Sequence, residues 1–183
     1  MTEATVENHF DATLPAYERW GRPCSELFSW AALDGAALPA GAAVLDVCAG
    51  MGALAVPAAE RGHTVLAVDT TPAPIGRANE RLEPYSHGSA EVMNALDLKY
   101  GDNEFDAAFS VFGVVFFGPG IGKVLTEMVR VVRPGGVTSI VNWATPMGAL
   151  FFLPVARTRR PNVPPTLPSR HTALAWWVLV TMR

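Results

Sequence analysis

The sequence predicts an α/β domain built on a doubly wound, mostly parallel sheet. Short apolar runs alternate along the chain with amphipathic stretches of about ten residues, which is typical of strands alternating with helices. The apolar runs lack polar alternation, as expected where helices cover both faces of a sheet. A glycine turn joins the first run to an alanine-rich stretch, and Pro134-Gly135-Gly136 separates the last amphipathic stretch from the last strand.

Each predicted element has a boundary signal. The stretch 4–34 has helical periodicity, with breaks expected near Pro15 and Pro23. Gly62 is placed as a helix C-cap, and Pro57, at or just past the first turn of its helix, allows a kink. We expect strands at 43–47, 64–68, 90–93, 105–112 and 137–143, and helices at 53–61, 73–82 and 122–132.

The composition is that of a globular protein of one domain. Half of the 183 residues are hydrophobic and 17% are charged. The first ten residues lack an apolar run, so no signal peptide is expected. The longest apolar stretch, 111–117, is too short to span a bilayer. Cys24 and Cys48 lack metal-ligand or redox spacing, which predicts no metal site and a reducing, cytoplasmic location.

Charge divides the chain unevenly. All 17 acids lie between Glu3 and Glu127, whereas residues 146–183 contain five arginines and no acid. The excess of arginine in residues 146–183 indicates either an anionic partner or a tail that did not evolve under the same selection as residues 1–145. The tail contains four prolines between 161 and 168 and, at 173–180, an apolar run long enough for a strand.

The turn Gly50-Met51-Gly52 lies between the first strand and its helix, where nucleotides bind in such sheets. Ala55 occupies the third glycine position, so spacing alone leaves NAD open. Asp46, at the end of the strand, disfavours a pyrophosphate and favours a cationic, phosphate-free ligand such as S-adenosylmethionine. Alternatively, Asp46 caps the N–H groups of the turn, and both roles can coexist.

A second acid ends the second strand. Asp69 follows Gly50 by 19 residues, the placement of an acid that accepts hydrogen bonds from both ribose hydroxyls. Helix N-capping is the alternative role, although Thr70 and Thr71 are also close enough for it. An adenosine ligand is therefore favoured with either cofactor.

Four segments occur in an order and spacing shared with a known family: 44–52, 65–69, 105–113 and 127–136. On these segments the chain resembles the class I S-adenosylmethionine-dependent methyltransferases, most closely the small-molecule branch with ubiquinone/menaquinone and sterol-type enzymes. The resemblance implies a Rossmann-like sheet of strand order 3-2-1-4-5. It also implies S-adenosyl-L-methionine as cofactor and S-adenosyl-L-homocysteine as product.

The resemblance further implies a set of cofactor-binding residues. The glycines would lie against the methionine part of the cofactor, Asp69 would hold the ribose and Thr70 would flank the adenine. Asn94 stands where the family usually has an acid for the adenine amino group, so weaker binding is expected. The full set is Tyr17, Asp46, Ala49, Gly50, Gly52, Asp69, Thr70, Asn94, Ala95 and Ser110.

The resemblance implies roles for three more members of this set. The backbone N–H of Ala95 would meet the adenine ring, and the backbone carbonyl of Ser110 would accept from the ammonium of the cofactor. Tyr17 resembles part of a lid over the cofactor, and a purely packing aromatic is an equal alternative.

Methyl transfer is an in-line displacement, so alignment of the reactants can supply most of the acceleration. No catalytic residue is therefore predicted; His9 and His87 are the histidines worth testing as bases, with surface or capping roles as alternatives. An Asn/Asp-Pro-Pro-Tyr/Phe run after the fourth strand would indicate methylation of amino groups of DNA bases. This chain has Ser110-Val111-Phe112-Gly113 there, so nucleic acid is not expected as a substrate. The apolar segment 111–117 favours an apolar or aromatic small-molecule acceptor.

The resemblance stops after Trp143, where the family continues with a helix and an antiparallel hairpin. We expect that hairpin to be incomplete or absent, with 173–180 as one edge strand, in a C-terminally shortened chain. A poorly covered fifth strand predicts a homodimer through residues 145–183. The predicted units are an N-terminal helical lid at 1–41, the cofactor-binding core at 42–145 and an atypical tail at 146–183.

Two functions other than an active methyltransferase remain open. A non-catalytic cofactor-binding or regulatory remnant is suggested by Asn94 and the short tail. An NAD-dependent oxidoreductase is disfavoured by Asp46.

Overall fold

The computed structural model describes residues 14–143 and 177–182 of the chain. These residues form one six-stranded sheet with flanking helices. The elements are a π-helical turn at Tyr17–Gly21, α1 at Arg22–Ala36, β1 at Ala43–Val47, α2 at Ala55–Glu60, β2 at Thr64–Asp69, α3 at Pro72–Leu82, β3 at Gly88–Val92, β4 at Phe105–Val111, a 3₁₀ helix at Val114–Gly120, α4 at Ile121–Val131, β5 at Val132–Trp143 and β6 at Trp177–Met182.

The sheet has the predicted order. Its strands lie in the sequence β3-β2-β1-β4-β5-β6, and the first five are mutually parallel. β6 pairs antiparallel with β5, from Trp143 opposite Trp177 to Thr138 opposite Met182. The Rossmann-like order 3-2-1-4-5 is thus confirmed, and one antiparallel strand, β6, lies beyond β5.

β6 also changes the argument for dimerisation. That prediction assumed an uncovered β5 edge, whereas β6 occupies this edge along 138–143. The premise is therefore wrong for that part of the strand, because its backbone N–H and C=O groups pair within the same chain.

Two apolar clusters cover the two faces of the sheet. Alternate residues of one strand enter different clusters: Val44 packs with α1, α2 and α3, whereas Leu45 packs with α4. Both side chains are fully buried. This two-sided burial explains why the strands are continuously apolar in sequence.

The N-terminal helix differs from the prediction. No break occurs at Pro23, which lies at the start of α1, directly after the π-helical turn. In that turn the Arg22 N–H donates to the Tyr17 carbonyl, five residues back. The wider turn lets the helix continue into a residue that lacks an N–H.

Other boundaries differ by local backbone geometry. α2 begins at Ala55, so Pro57 falls within its first turn, where a missing N–H costs little. β5 begins at Val132 rather than 137, with a register irregularity opposite 105–107, and Gly135 has φ +78°. The 3₁₀ helix after β4 was not predicted. Across 14–143 and 177–182, the structure has no helix whose length and apolarity suit a membrane span.

Candidate cofactor-binding site

The candidate site lies at the carboxyl ends of β1, β2 and β4. β1 pairs with β2 on one side and with β4 on the other. The order of the strands along the chain therefore changes direction at β1, which makes the carboxyl end of β1 the switch point of the sheet. Ligands of open α/β sheets bind at such a reversal, outside the carboxyl ends of the strands. Asp46, Asp69 and Ser110 all belong to the ends of these three strands.

The turn after β1 depends on positive backbone φ angles. Cys48, Gly50 and Gly52 have φ of +60°, +53° and +73°. The Ala49 N–H donates to the Val68 carbonyl at 3.0 Å, and the Gly52 N–H donates to the Ala49 carbonyl at 2.9 Å. A Cβ added at Gly50 would meet no atom within 4 Å, so the turn presents open backbone there.

Asp46 is buried beneath this turn. Its side chain is 2% exposed, and Oδ2 accepts a hydrogen bond from the Ala55 N–H at 3.0 Å. The alternative capping role is therefore present in the structure. Burial raises the pKa of the Asp46 carboxyl to about 7, and the negative charge of Asp69 adds to the rise, against the hydrogen bonds from Ala55 and Leu54.

Asp69 connects three backbone segments. Its Oδ2 accepts from the Gly50 N–H at 2.9 Å, and its Oδ1 accepts from the Thr71 N–H at 3.0 Å. Thr71 is the N-cap residue of α3, yet its side chain makes no capping hydrogen bond. Each carboxylate oxygen keeps acceptor capacity after these bonds, which suits a pair of ribose hydroxyls.

The loop after β3 brings Asn94 to the same side of the sheet. The Met93 N–H donates to the Asp69 carbonyl at 2.9 Å, which ties this loop to the end of β2. Asn94 is exposed, and its Oδ1 accepts from the Leu96 N–H at 2.9 Å. Ala95 is buried beside it, whereas Thr70 is exposed. The Asn94 oxygen has capacity for one further donor.

Ser110 and Cys48 lie side by side where the ends of β4 and β1 meet. Ser110 is fully buried. Burial raises the pKa of the Cys48 thiol far above its usual value, the carboxylates of Asp69 and Asp46 add to the rise, and the Ser110 hydroxyl partly offsets it. The Cys48 thiol is therefore protonated and acts as a small packing group.

Gly113 was not recognised as a site residue from the sequence. A Cβ at this position would lie 2.3 Å from the Cys48 Cβ and 2.9 Å from the Cys48 carbonyl oxygen. Only a glycine permits the loop after β4 to approach the turn after β1 so closely. In the sequence, Gly113 was only the last residue of the segment 105–113. That position indicated where the segment ends but not that Gly113 contacts Cys48.

Tyr17 points its hydroxyl inward from the π-helical turn. The residue is 36% exposed, yet its hydroxyl donates to Ser25 Oγ at 3.4 Å. Burial of the hydroxyl raises the pKa of Tyr17, and the negative charges of Asp46 and Asp69 raise it further, against the Ser25 bond. The Ser25 bond thus holds the Tyr17 hydroxyl against α1, within range of the charges of both site carboxylates, and the lid role stays a prediction.

Arg81 is a second residue that sequence reasoning missed. Its Nη1 donates to the carbonyl oxygens of Met51 at 2.7 Å and Gly52 at 3.4 Å. Its Nη2 pairs with Glu26 of α1. An arginine in the last turn of a helix is an ordinary complement to the helix dipole, so its sequence position gave no signal.

The two candidate bases receive no support. His9 lies outside the described residues, and His87 Nε2 bonds to the Ala59 carbonyl at 3.0 Å, which is the capping alternative. His87 lines a groove of about 330 Å³ at the amino ends of the strands, opposite the candidate site. Among the described residues, no His, Cys, Asp or Glu group is arranged for a metal ion.

The sequence of this chain is similar to a known protein family and to several curated proteins. A family profile described as "Methyltransferase domain" matches residues 44–136. An uncharacterised protein of Mycobacterium tuberculosis is 36% identical over 129 residues, or 70% of this chain and 47% of that protein. The 2-methyl-6-phytyl-1,4-hydroquinone methyltransferase of Synechocystis is 32% identical over 115 residues, or 62% of this chain and 35% of that enzyme.

A solved structure from Methanococcus maripaludis, named for an S-adenosylmethionine-dependent methyltransferase, superposes with a TM-score of 0.65. It covers 85% of this chain and 71% of its own, at 17% identity, and so shows the shared fold. The chain spans about half the length of the mycobacterial relative. With the family profile matching more than half of its residues, the chain belongs to the class I S-adenosylmethionine-dependent methyltransferases.

Proposed function

We propose that this chain binds S-adenosylmethionine and transfers its methyl group to a small apolar or aromatic acceptor. The observation that supports the proposal most directly is the Asp69 carboxylate, which bonds to the Gly50 N–H while retaining acceptor capacity. This bond holds the Asp69 carboxylate against the turn that would adjoin the methionine part, where the carboxylate would accept from the ribose hydroxyls. The glycines, Asn94, Ala95 and Ser110 keep the roles that the family resemblance implies.

Charge favours this cofactor over a dinucleotide. Asp46 and Asp69 are close enough that the charge of Asp69 raises the pKa of Asp46. A pyrophosphate would add further negative charge beside them, whereas the ammonium and sulfonium groups of S-adenosylmethionine supply the opposite sign. The same comparison disfavours NAD, although glycine spacing alone does not.

The bound cofactor would supply a methyl group already activated by a sulfonium. The residues of this chain would therefore act by binding and alignment. Asp69 would hold the ribose, the open backbone at Gly50 would adjoin the methionine part, and Tyr17 would help exclude water. The transfer would join a nucleophilic electron pair of the acceptor to the methyl carbon as the carbon–sulfur bond breaks, so that S-adenosylhomocysteine would leave and the proton of the methylated atom would pass to solvent.

The acceptor would lie against the segment after β4. Phe112 and Val114 of this segment are buried and belong to the core, whereas Phe116 is 58% exposed. Phe116 lies in the 3₁₀ helix that follows β4 and would contribute an aromatic contact to the acceptor. The hydroquinone acceptor in the name of the Synechocystis relative supports an apolar aromatic substrate and the quinone-type branch.

Calorimetry with the full chain tests the cofactor. S-adenosylmethionine and S-adenosylhomocysteine should bind and NAD should not; binding of NAD alone would overturn the proposal. Asp69→Ala should weaken adenosine-cofactor binding by about 1.5–3 kcal/mol, since it removes charge-assisted hydrogen bonds. Asp34→Ala, which removes an exposed carboxylate paired with Arg61, is the matched control and should leave the affinity unchanged.

Methyl transfer requires a separate assay. Transfer from labelled S-adenosylmethionine should be detected with a panel of phenols and hydroquinones. Cofactor binding without transfer to any acceptor in the panel would instead favour the non-catalytic remnant.

Homodimerisation through residues 145–183 and a cytoplasmic location are parts of the same proposal. β6 is the outer strand at one edge of the sheet, and it would be the pairing surface. Cys24 and Cys48 are free thiols, as suits a reducing compartment. A light-scattering mass equal to the monomer at micromolar concentration would exclude the dimer.

A further inference from the structure

A chain of ion pairs joins α1 to the glycine turn. Glu26 Oε1 accepts from Arg22 Nη1 at 2.7 Å within α1, and the same oxygen pairs with Arg81 of α3. The other terminal nitrogen of Arg81 donates to the carbonyls of Met51 and Gly52. Three elements that are distant in sequence therefore meet at one guanidinium group.

The Glu26–Arg81 pair differs from the other ion pair on α3. The Glu26 and Arg81 side chains are each 23% exposed, whereas those of Arg77 and Glu80 are 54% and 64% exposed. Exposed pairs contribute little, because water screens them and the side chains lose freedom. Arg81 of this partly buried pair also donates to two backbone carbonyls. Its loss would remove the 2.7 Å bond to the Met51 carbonyl, whereas the Gly52 carbonyl would keep the bond from the Val56 N–H at 3.1 Å.

The backbone carbonyls make the link directional. A peptide group is planar, so a guanidinium group that holds the carbonyls of Met51 and Gly52 also fixes the planes of the two peptides that follow. The N–H groups of those peptides point away from Arg81. The conformation of the turn is thus set in part by a side chain whose second partner is on α1.

α1 is also continuous with the π-helical turn that contains Tyr17. The Tyr17 hydroxyl bonds to Ser25 of α1 at 3.4 Å, and the negative charges of Asp46 and Asp69 raise its pKa. One helical segment therefore bears both the candidate lid residue and the carboxylate that holds Arg81. A shift of α1 would move the lid and release the turn together.

We infer that Arg81 and Glu26 are positioning residues that couple the seating of α1 to the shape of the glycine turn, and through it to binding of the methionine part of the cofactor. The inference rests on the proposed function. It requires that loss of either side chain weakens binding of the methionine part of the cofactor more than binding of the adenosine part, which Asp69 would hold at the end of β2.

The test compares S-adenosylhomocysteine with adenosine on the full chain by calorimetry. Arg81→Met and Glu26→Gln should each weaken S-adenosylhomocysteine binding about ten-fold, as expected for one lost charge-assisted contact, and should change adenosine binding less than about two-fold. The double variant should bind no more weakly than Arg81→Met alone. Arg81→Lys should not restore the affinity, because an ammonium group cannot bridge the carbonyls and Glu26 at once.

Arg77→Met, on the exposed pair of the same helix, is the control and should bind both ligands as the wild type does. Equal weakening of both ligands, or additive effects of Glu26→Gln and Arg81→Met, would overturn the inference. If Arg81→Met does not fold, the test uses Glu26→Gln alone. Weaker binding of S-adenosylhomocysteine only would support the inference, and equal weakening of both ligands would overturn it.

Failure of the wild-type chain to bind S-adenosylhomocysteine would count against the proposed function and not against the coupling. In that case hydrogen exchange decides. Glu26→Gln should speed exchange of the Gly52 and Ala53 amides, which belong to the two peptides held by Arg81, at least about five-fold relative to wild type and to Arg77→Met. Unchanged exchange would overturn the coupling.

Discussion

Replacing Asp46 with asparagine should stabilise the unliganded protein above neutral pH and weaken its binding of a cationic cofactor. The side chain is almost completely buried, and Oδ2 accepts from the Ala55 N–H. An amide oxygen can accept the same bond. The substitution therefore removes the buried charge while it preserves the shape and the bond from the Ala55 N–H.

The size of the effect follows from the pKa of the Asp46 carboxyl, which burial raises from 3.8 to about 7. Between these values the folded protein holds a proton that the unfolded chain has released, so stability falls as pH rises. Each pKa unit is worth about 1.4 kcal/mol, which gives a loss of about 4 kcal/mol that is complete above pH 7. The asparagine variant lacks this loss.

Urea unfolding between about pH 5 and pH 9 measures the difference. The stability of Asp46→Asn relative to wild type should increase across the interval below pH 7 and then level off. Asp34→Asn, at an exposed carboxylate, should show no such trend. A variant that is less stable than wild type at pH 8, or a difference independent of pH, would refute the reasoning. In calorimetry, the same variant should bind S-adenosylmethionine more weakly.

Three further predictions concern the edges of the site. Asn94→Asp should tighten S-adenosylhomocysteine binding by about 1 kcal/mol, because a charged acceptor replaces a neutral one; unchanged calorimetric affinity would remove Asn94 from the adenine pocket. Gly113→Ala should lower stability in urea by about 1–3 kcal/mol through overpacking, and adding Cys48→Gly, which removes the nearest Cβ, should recover part of the loss. Phe116→Ala should raise the KM for the acceptor and leave cofactor affinity intact, as measured by steady-state transfer and calorimetry; equal changes in both would argue against an acceptor contact.

The parallel core was predictable because its signals are local. β1, β2 and β4 are buried on both faces, so each is mostly apolar in sequence and has a polar residue at or next to its carboxyl end. The family segments then gave the order of the strands. The helix through Pro23 was not predictable, because the widened π-helical turn that accommodates the proline has no simple sequence signal.

The candidate site was predictable in part for the same reason. Asp46 and Asp69 end two adjacent strands, so sequence places them at one edge of the sheet. Their hydrogen bonds to the N–H groups of Ala55 and Gly50 depend on how the turn closes, which the sequence does not show. Thr71 illustrates the limit, since a suitable capping residue makes no capping bond.

Arg81 and Gly113 were missed because each acts across the fold. Arg81 lies 29 residues from Gly52 and 55 from Glu26, and Gly113 meets Cys48 only when β4 is placed beside β1. Neither has a neighbour in sequence that marks its role. Contacts of this type become visible only when the strand order is known.

The buried charge at Asp46 lowers the stability of the protein without cofactor and thereby favours the cofactor-bound state. Burial disfavours an ionised carboxylate under the turn and raises the pKa of Asp46, and Asp69 adds a second negative charge nearby. A cation placed between them would return the pKa of Asp46 toward its ordinary value and recover the lost stability as binding energy. Cofactor binding should accordingly release protons below about pH 7, and calorimetry in two buffers of different ionisation enthalpy would detect that release. Binding without proton uptake or release at pH 6.5 would mean that Asp46 serves the turn alone.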